Sequence, residues 1–246
     1  KLENEQSSID IEQKEPDSTP TKLEFLQDDN MYFTIQNCIQ EYLEYIIINY
    51  NTLDRQYDES LLSLESRAPI IYDLLSKEYI NKNNITVNNI YENVNYIENY
   101  SIFLPLEIKV LYGEEINTYV VHGIIEEAEN NKFIEEAYFF VYIDSDNRTF
   151  SIEPILNKNY KSIDDLNVKE MTERISKNNY NIYNVELLKT SDMAIKYLVN
   201  YKKLMLYYPE KAFETLDKEY REKRFGTLNE YKEYIEKNKE DLEKIN

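Results

Sequence analysis

The chain has 246 residues, room for one large domain or two small ones at roughly 100–200 residues each, and 42% hydrophobic residues, enough for a sizeable core. Lys and Arg total 28 against 47 Asp and Glu, a formal charge of -19. That charge repels phosphate backbones and anionic lipid, which excludes nucleic acid and membrane as partners of the bulk surface and leaves proteins, basic ones included.

Gly 3, Trp 0 and Tyr 24 stand beside abundant Asn, Ile and Lys. Gly and Trp have GC-rich codons, whereas Asn, Ile, Lys and Tyr have AT-rich ones, so this is the composition of a low-GC bacterial genome. Tyr therefore fills positions that Phe, Leu or Trp take elsewhere. The single Cys38 excludes an intramolecular disulfide and a cysteine-based metal cluster. No apolar run reaches the ~18 residues of a membrane span.

Residues 1–29 are rich in Glu, Gln, Ser, Asp and Pro and poor in large apolar groups. They bury too little surface to offset their ordering entropy and are read as a flexible acidic spacer. The chain opens on Lys1 and not Met, so a signal or membrane anchor is expected upstream. From Met31 the pattern changes. Ile35, Cys38, Ile39, Tyr42, Leu43 and Ile46 recur at three- and four-residue steps, one face of a helix. Cys38 lies inside that stripe, a buried and inert thiol. A second helix is predicted to start near Pro69, which suits a first turn, with Ile71, Leu74, Leu75 and Tyr79 as its apolar face. Asn83-Asn84 breaks it, and Thr86 to Asn89 caps a third short helix through Tyr91 and Val94.

The middle of the chain alternates with period two. Leu104, Leu106, Ile108 and Val110 form a predicted strand, followed by Tyr119–Ile125, by a strand carrying Phe139, Val141 and Ile143, and by one carrying Phe150 and Ile152. Asp144 to Asn147 makes the last hairpin turn and not a calcium loop, which needs a further oxygen ligand and a Gly where Arg148 and Thr149 stand. The result is a four-stranded antiparallel meander with one dry and one wet face. Residues 157–190 read as a connector holding a short helix (Val168 to Ile175) and a strand (Ile182 to Leu188). Helical periodicity then returns, with a stripe of Met193, Tyr197, Leu198, Tyr201 and Leu204 or Met205.

The chain resembles itself. Leu75-Ser76-Lys77-Glu78-Tyr79 aligns with Leu216-Asp217-Lys218-Glu219-Tyr220, and without a gap Lys82 meets Lys223, Thr86 meets Thr227 and Glu92 meets Glu233. A Pro precedes each copy, Pro69 and Pro209. The predicted architecture is α+β: helices packed on a curved antiparallel meander over 30–156, then a second helical unit over 191–246 that repeats the first and is either the helical part of a truncated second domain or a unit that packs without a sheet.

Tyr32 to Cys38, Ala68 to Tyr79 and Pro209 to Gly226 carry a resemblance to the nuclear transport factor 2-like superfamily, the cystatin-like α+β cone. More narrowly, they resemble exported, membrane-anchored tandem-domain proteins of low-GC Gram-positive bacteria. The resemblance implies helices on a curved sheet and an extracytoplasmic location with membrane contact only through a segment upstream of Lys1. It names no activity, because this fold hosts enzymes and assembly modules alike.

Candidate chemistry is sparse. His122 is the only histidine; facing the cone, it would join Tyr119 and Tyr142 as the polar groups of a ligand pocket. Glu126-Glu127 and Glu135-Glu136 flank one inter-strand link and are expected in solvent. Arg221, Lys223 and Arg224 suit a helix C-terminus. No catalytic residue, metal site or cofactor is expected. The reading is a non-catalytic protein-interaction or assembly module of a bacterial envelope; the alternative is a cone-pocket enzyme or small-molecule binder built on His122.

Overall fold

Helix α1, Asp29–Tyr45, starts where the side chain of Asp28 accepts the backbone N–H groups of Asn30 (2.9 Å) and Met31 (3.2 Å). The computed structural model describes residues 24–26, 28–47, 63–94, 102–111, 116–127, 132–144, 149–155 and 190–244. Most of the expected spacer, residues 145–147 of the expected turn and nearly all of the 157–190 connector lie outside the described residues. The end of the expected spacer, however, is structured. Strand β1, Glu24–Phe25, precedes the cap at Asp28.

Helix α2 is Leu64–Leu74. Ser63 sets its start, accepting the N–H of Ser66 at 3.1 Å, so Pro69 sits inside the helix and not in its first turn. Pro69 is exposed, where water can solvate the carbonyl its ring leaves unbonded. Arg67 is fully buried, and its Nη1 donates to the carbonyls of Tyr45 (2.8 Å) and Ile47 (2.6 Å). These are carbonyls at the end of α1, which no intrahelical donor reaches.

The predicted second helix is in fact two. Leu75 turns extended and forms a parallel bridge with Ile152, whose carbonyl also accepts the Ser76 N–H at 2.8 Å. Ser76 then caps α3, Lys77–Lys82, accepting from Tyr79 N–H at 3.1 Å. Asn83-Asn84 ends α3 as expected, with Asn84 left-handed at φ 52°. Thr86 and Asn89 exchange bonds, Thr86 N–H to Asn89 Oδ1 (2.6 Å) and Asn89 N–H to Thr86 Oγ1 (3.3 Å), and lead into α4, Ile90–Asn93.

Strands β2 (Ile102–Leu111), β3 (Asn117–Glu127), β4 (Lys132–Asp144) and β5 (Thr149–Pro154) form the antiparallel meander, with β1 added on the β2 edge. The register shifts within β2: Pro105 pairs with Gly123 but Glu107 pairs with His122, so Leu106 has no residue opposite it. The bulge changes which residues face the helices. Phe103 does so before it, Ile108 and Val110 after it. Leu104 and Leu106, expected on the dry wall, are not part of that core. The core joins Ile35, Ile39 and Leu43 of α1, Ile71 and Leu74 of α2, and Tyr119, Val121, Phe139, Val141 and Ile152 of the sheet.

The opposite face is not wet. Leu104, Val120, Phe140 and Tyr142 are buried there too, and strands covered on both sides read as nearly continuous apolar runs. Four further helices follow: α5 (Thr190–Tyr207), α6 (Pro209–Thr215), α7 (Lys218–Arg224) and α8 (Leu228–Lys244). They share a small core of Met205, Ala212, Tyr231 and Ile235. Asp217 caps α7 through Tyr220 N–H (2.9 Å), and Thr227 and Glu230 form a reciprocal capping box at the start of α8. Among the described residues no helix is long and apolar enough to cross a membrane.

Gly123 is required by the bulge, since a Cβ there would lie 2.7 Å from the Leu104 carbonyl oxygen and would collide with the Phe103 ring. Gly123→Ala should cost about 1–3 kcal/mol by overpacking, read as a lower urea midpoint with an unchanged slope. Cys38 is buried, and burial first, then Glu41, raise its thiol pKa well above the ordinary value. Thiol reagents at pH 8 should leave the native chain unlabelled and modify it fully in denaturant.

Candidate functional site

The upstream half of β2 offers carbonyls that β1 does not reach. β1 pairs only with Lys109 and Val110, and Leu26 N–H adds a bond to the Ile108 carbonyl at 3.2 Å. Side chains take the rest. Tyr32 Oη donates to the Pro105 carbonyl (2.9 Å), Gln36 Nε2 to that of Phe103 (2.7 Å), and Lys211 Nζ to that of Leu106 (3.1 Å). Tyr32 and Gln36 are one helical turn apart on α1, so one face of that helix meets the strand edge.

Gln36 also binds α5. Its Nε2 donates to Asn200 Oδ1 (3.0 Å) and its Oε1 accepts from Asn200 Nδ2 (2.9 Å), both residues being buried. A second tie is ionic. Lys203 Nζ lies 2.6 Å from Glu126 Oε1, and Glu126 is only 1% exposed. Glu126 was expected in solvent; the pairing with a lysine distant in sequence is what permits its burial. Burial and then Glu126 push the Tyr207 hydroxyl up to about 12. Burial, followed by neighbouring Lys203, holds Lys202 below the ordinary lysine value.

Between α1, the β2 bulge, α5 and α6 lies a cleft of about 210 Å³, lined by Tyr32, Phe33, Pro105, Leu106, Tyr197, Asn200, Tyr201, Leu204, Lys211 and Thr215. Its walls are mostly rings and aliphatic groups. Tyr197 and Tyr201 lie parallel, centroids 6.2 Å apart and planes 2° from coplanar orientation, and Tyr32 meets Phe33 edge-on at 5.2 Å. Its polar atoms are bonded within the protein: Tyr32 to Pro105, Asn200 to Gln36, Tyr201 Oη to Tyr231 Oη at 2.8 Å, and Thr215 to the Ala212 carbonyl. Burial raises the hydroxyls of Tyr32 and Tyr201, so both stay protonated donors at neutral pH.

The apolar surface continues out of the cleft. Of the predicted α5 stripe, Met205 is buried and Tyr201 and Leu204 half-buried, but Tyr197 is 51% and Leu198 66% exposed, beside Ile195 at 62%. Met193, at the start of the stripe, is half-buried, so the exposed part is its middle.

The three residues expected in a cone pocket are not brought together. Tyr119 is buried in the helix-facing core. His122 points to the other face, its ring stacked on Tyr138 (4.4 Å, 6°) and its Nε2 3.1 Å from Glu136 Oε2. Tyr142 is buried on that same face, four residues along β4 from the partner of His122, and its hydroxyl donates to Glu153 Oε2 at 3.1 Å. None of them lines the cleft. Tyr32, Asn200 and Lys211 were missed; the available signal was Gln36, an amide on a helix face otherwise apolar. Among the described residues no group of three or more His, Cys, Asp or Glu is placed to hold a metal.

No family model, curated protein or solved structure matches this chain.

Asn200→Leu leaves the Gln36 amide short of its partner in a buried place and should cost about 1–3 kcal/mol. Gln36→Leu combined with Asn200→Leu should cost less than the sum of the two single changes, by about 0.5 kcal/mol or more, measured by urea denaturation of the four proteins.

Proposed function

We propose that the protein is a non-catalytic interaction or assembly module that docks a protein partner on the outer face of α5 and in the adjoining cleft. The observation that carries this reading is the exposure of Tyr197 and Leu198, each one helical turn from Tyr201 on α5, at a cleft whose polar atoms are largely engaged internally. A metabolite pocket keeps a few convergent polar groups for its ligand and runs to ~300 Å³ or more; this one is smaller and presents mainly ring faces. Clustered aromatic and aliphatic groups of this kind anchor protein interfaces.

The wider setting belongs to the same proposal. Helices α1 to α4 packed ahead of a meander support the likeness to the nuclear transport factor 2-like cone. The second helical unit is proposed as a repeat of the first. In support, Leu75 and Leu216 are both extended, Ser76 and Asp217 both cap the next helix, and Thr86 with Asn89 and Thr227 with Glu230 form aligned reciprocal turns. The AT-rich composition supports a low-GC bacterium, and the acidic, Ser- and Pro-containing residues 1–23 support a spacer holding the module outside the cytoplasm on an upstream tether.

Photocrosslinking in native cells tests the docking face. A photoreactive residue in place of Tyr197 or Leu198 should give one discrete protein adduct that the same residue at exposed Glu236 does not give. Identical adduct patterns at all three positions would refute the assignment.

A further inference from the structure

One cation lines the cleft. Lys211 Nζ is half-buried, and its bond is to a neutral carbonyl, that of Leu106 at 3.1 Å. An ammonium has three donors, and one carbonyl leaves two for other acceptors. Among the described residues no carboxylate forms an ion pair with it, whereas Lys203, the half-buried lysine of α5 that ties to the sheet, meets Glu126. In a chain of charge -19, a cleft-lining cation without a carboxylate is a place for an incoming anion.

We infer that the cleft receives a large apolar side chain of a partner protein, carried on an acidic segment whose neighbouring carboxylate binds Lys211. This rests on the docking face proposed above and specifies its occupant. The volume of about 210 Å³ suits one large side chain, and Tyr197, Tyr201 and Leu204 supply its walls. The apolar surface extends beyond the cleft to Leu198 and Ile195, which a small carboxylate filling the cleft leaves bare and a peptide covers. Charge then selects the location. An acidic segment is repelled by most of this surface, and Lys211 is the cation that the cleft wall offers it. Complementary charge of this kind raises the encounter rate and fixes register, while the apolar anchor supplies affinity.

The test uses the whole isotope-labelled chain and nuclear magnetic resonance titration. The probes are N-acetylated, C-amidated pentapeptides with a central Phe flanked by Glu, by Gln or by Lys, together with free 3-phenylpropionate. The Glu peptide should shift the resonances of Tyr197, Tyr201 and Lys211 and bind about tenfold more tightly than the Gln peptide. Lys211→Gln should bring the Glu peptide down to the level of the Gln peptide. Equal binding of the Glu, Gln and Lys peptides in the cleft would overturn the acidic occupant and leave the docking face standing. Phenylpropionate binding as tightly as the Glu peptide would assign the cleft to a small molecule. If no Phe peptide shifts the cleft resonances, the docking face falls with the inference.

Discussion

A strand edge that has no neighbouring strand among the described residues is the constraint on which this molecule turns. Carbonyls removed from water need donors, and an edge left open invites pairing with another chain. Here β2 beyond the reach of β1 is closed by side chains. Tyr32 and Gln36 come from α1 and Lys211 from α6, so each hydrogen bond also positions a helix. Pro105 contributes by having no N–H to satisfy, which suits an edge or a bulge. The extra residue, Leu106, has its carbonyl on Lys211 and its side chain on the cleft. Cleft and edge closure are therefore the same piece of chemistry.

The second helical layer is joined to the sheet by groups that tolerate few alternatives. The Gln36–Asn200 amide pair satisfies donors and acceptors in both directions, and the Gln36 amide nitrogen bridges to Phe103 as well. Glu126 and Lys203 form an ion pair with its carboxylate out of water. Such contacts add modest net stability, because desolvation offsets most of the attraction. Their effect is on geometry, since a shifted helix would leave an amide and a charge unpaired. This fixes how far α5 stands from α1, and hence the width of the cleft between them.

Much of the fold was legible locally. The α1 stripe, the break at Asn83-Asn84, the capping turn at Thr86 and the meander follow from period and turn chemistry, and the structure has each of them. What failed to read were competitions settled at a distance. Pro69 marks a helix start, but Ser63 caps earlier and Arg67 buries its guanidinium under α1. Nothing between Leu74 and Lys77 breaks a helix by composition; the break exists because Ser76 N–H bonds Ile152 on β5. The two-residue period of β2 misplaced Leu104 and Leu106 because one bulge changes the facing of every residue on one side of it. The cleft was invisible for a related reason. His122 drew notice by being alone, whereas Tyr32 and Lys211 are common residue types separated by most of the chain.

The two helical units show what a sheet adds to the same local chemistry. Ser76 and Asp217 cap their helices alike, each accepting an N–H from the Tyr three residues on. Yet Tyr79 is buried against the sheet, while Tyr220 is 53% exposed and α7 buries none of its residues. Capping decides where a helix begins; only the neighbouring layer decides how much of it is covered. In the first unit α1 lies on a sheet and its apolar stripe is buried from Ile35 to Ile46. In the second, α8 packs on α5 where Tyr231 meets Tyr201 and where Ile235, with Leu242, joins Met205. One amphipathic helix cannot cover another as a sheet does, so Ile195, Tyr197 and Leu198 remain outward. The exposed face thus follows from how little of that end of α5 its neighbouring helices cover, where α1 has a whole sheet against it.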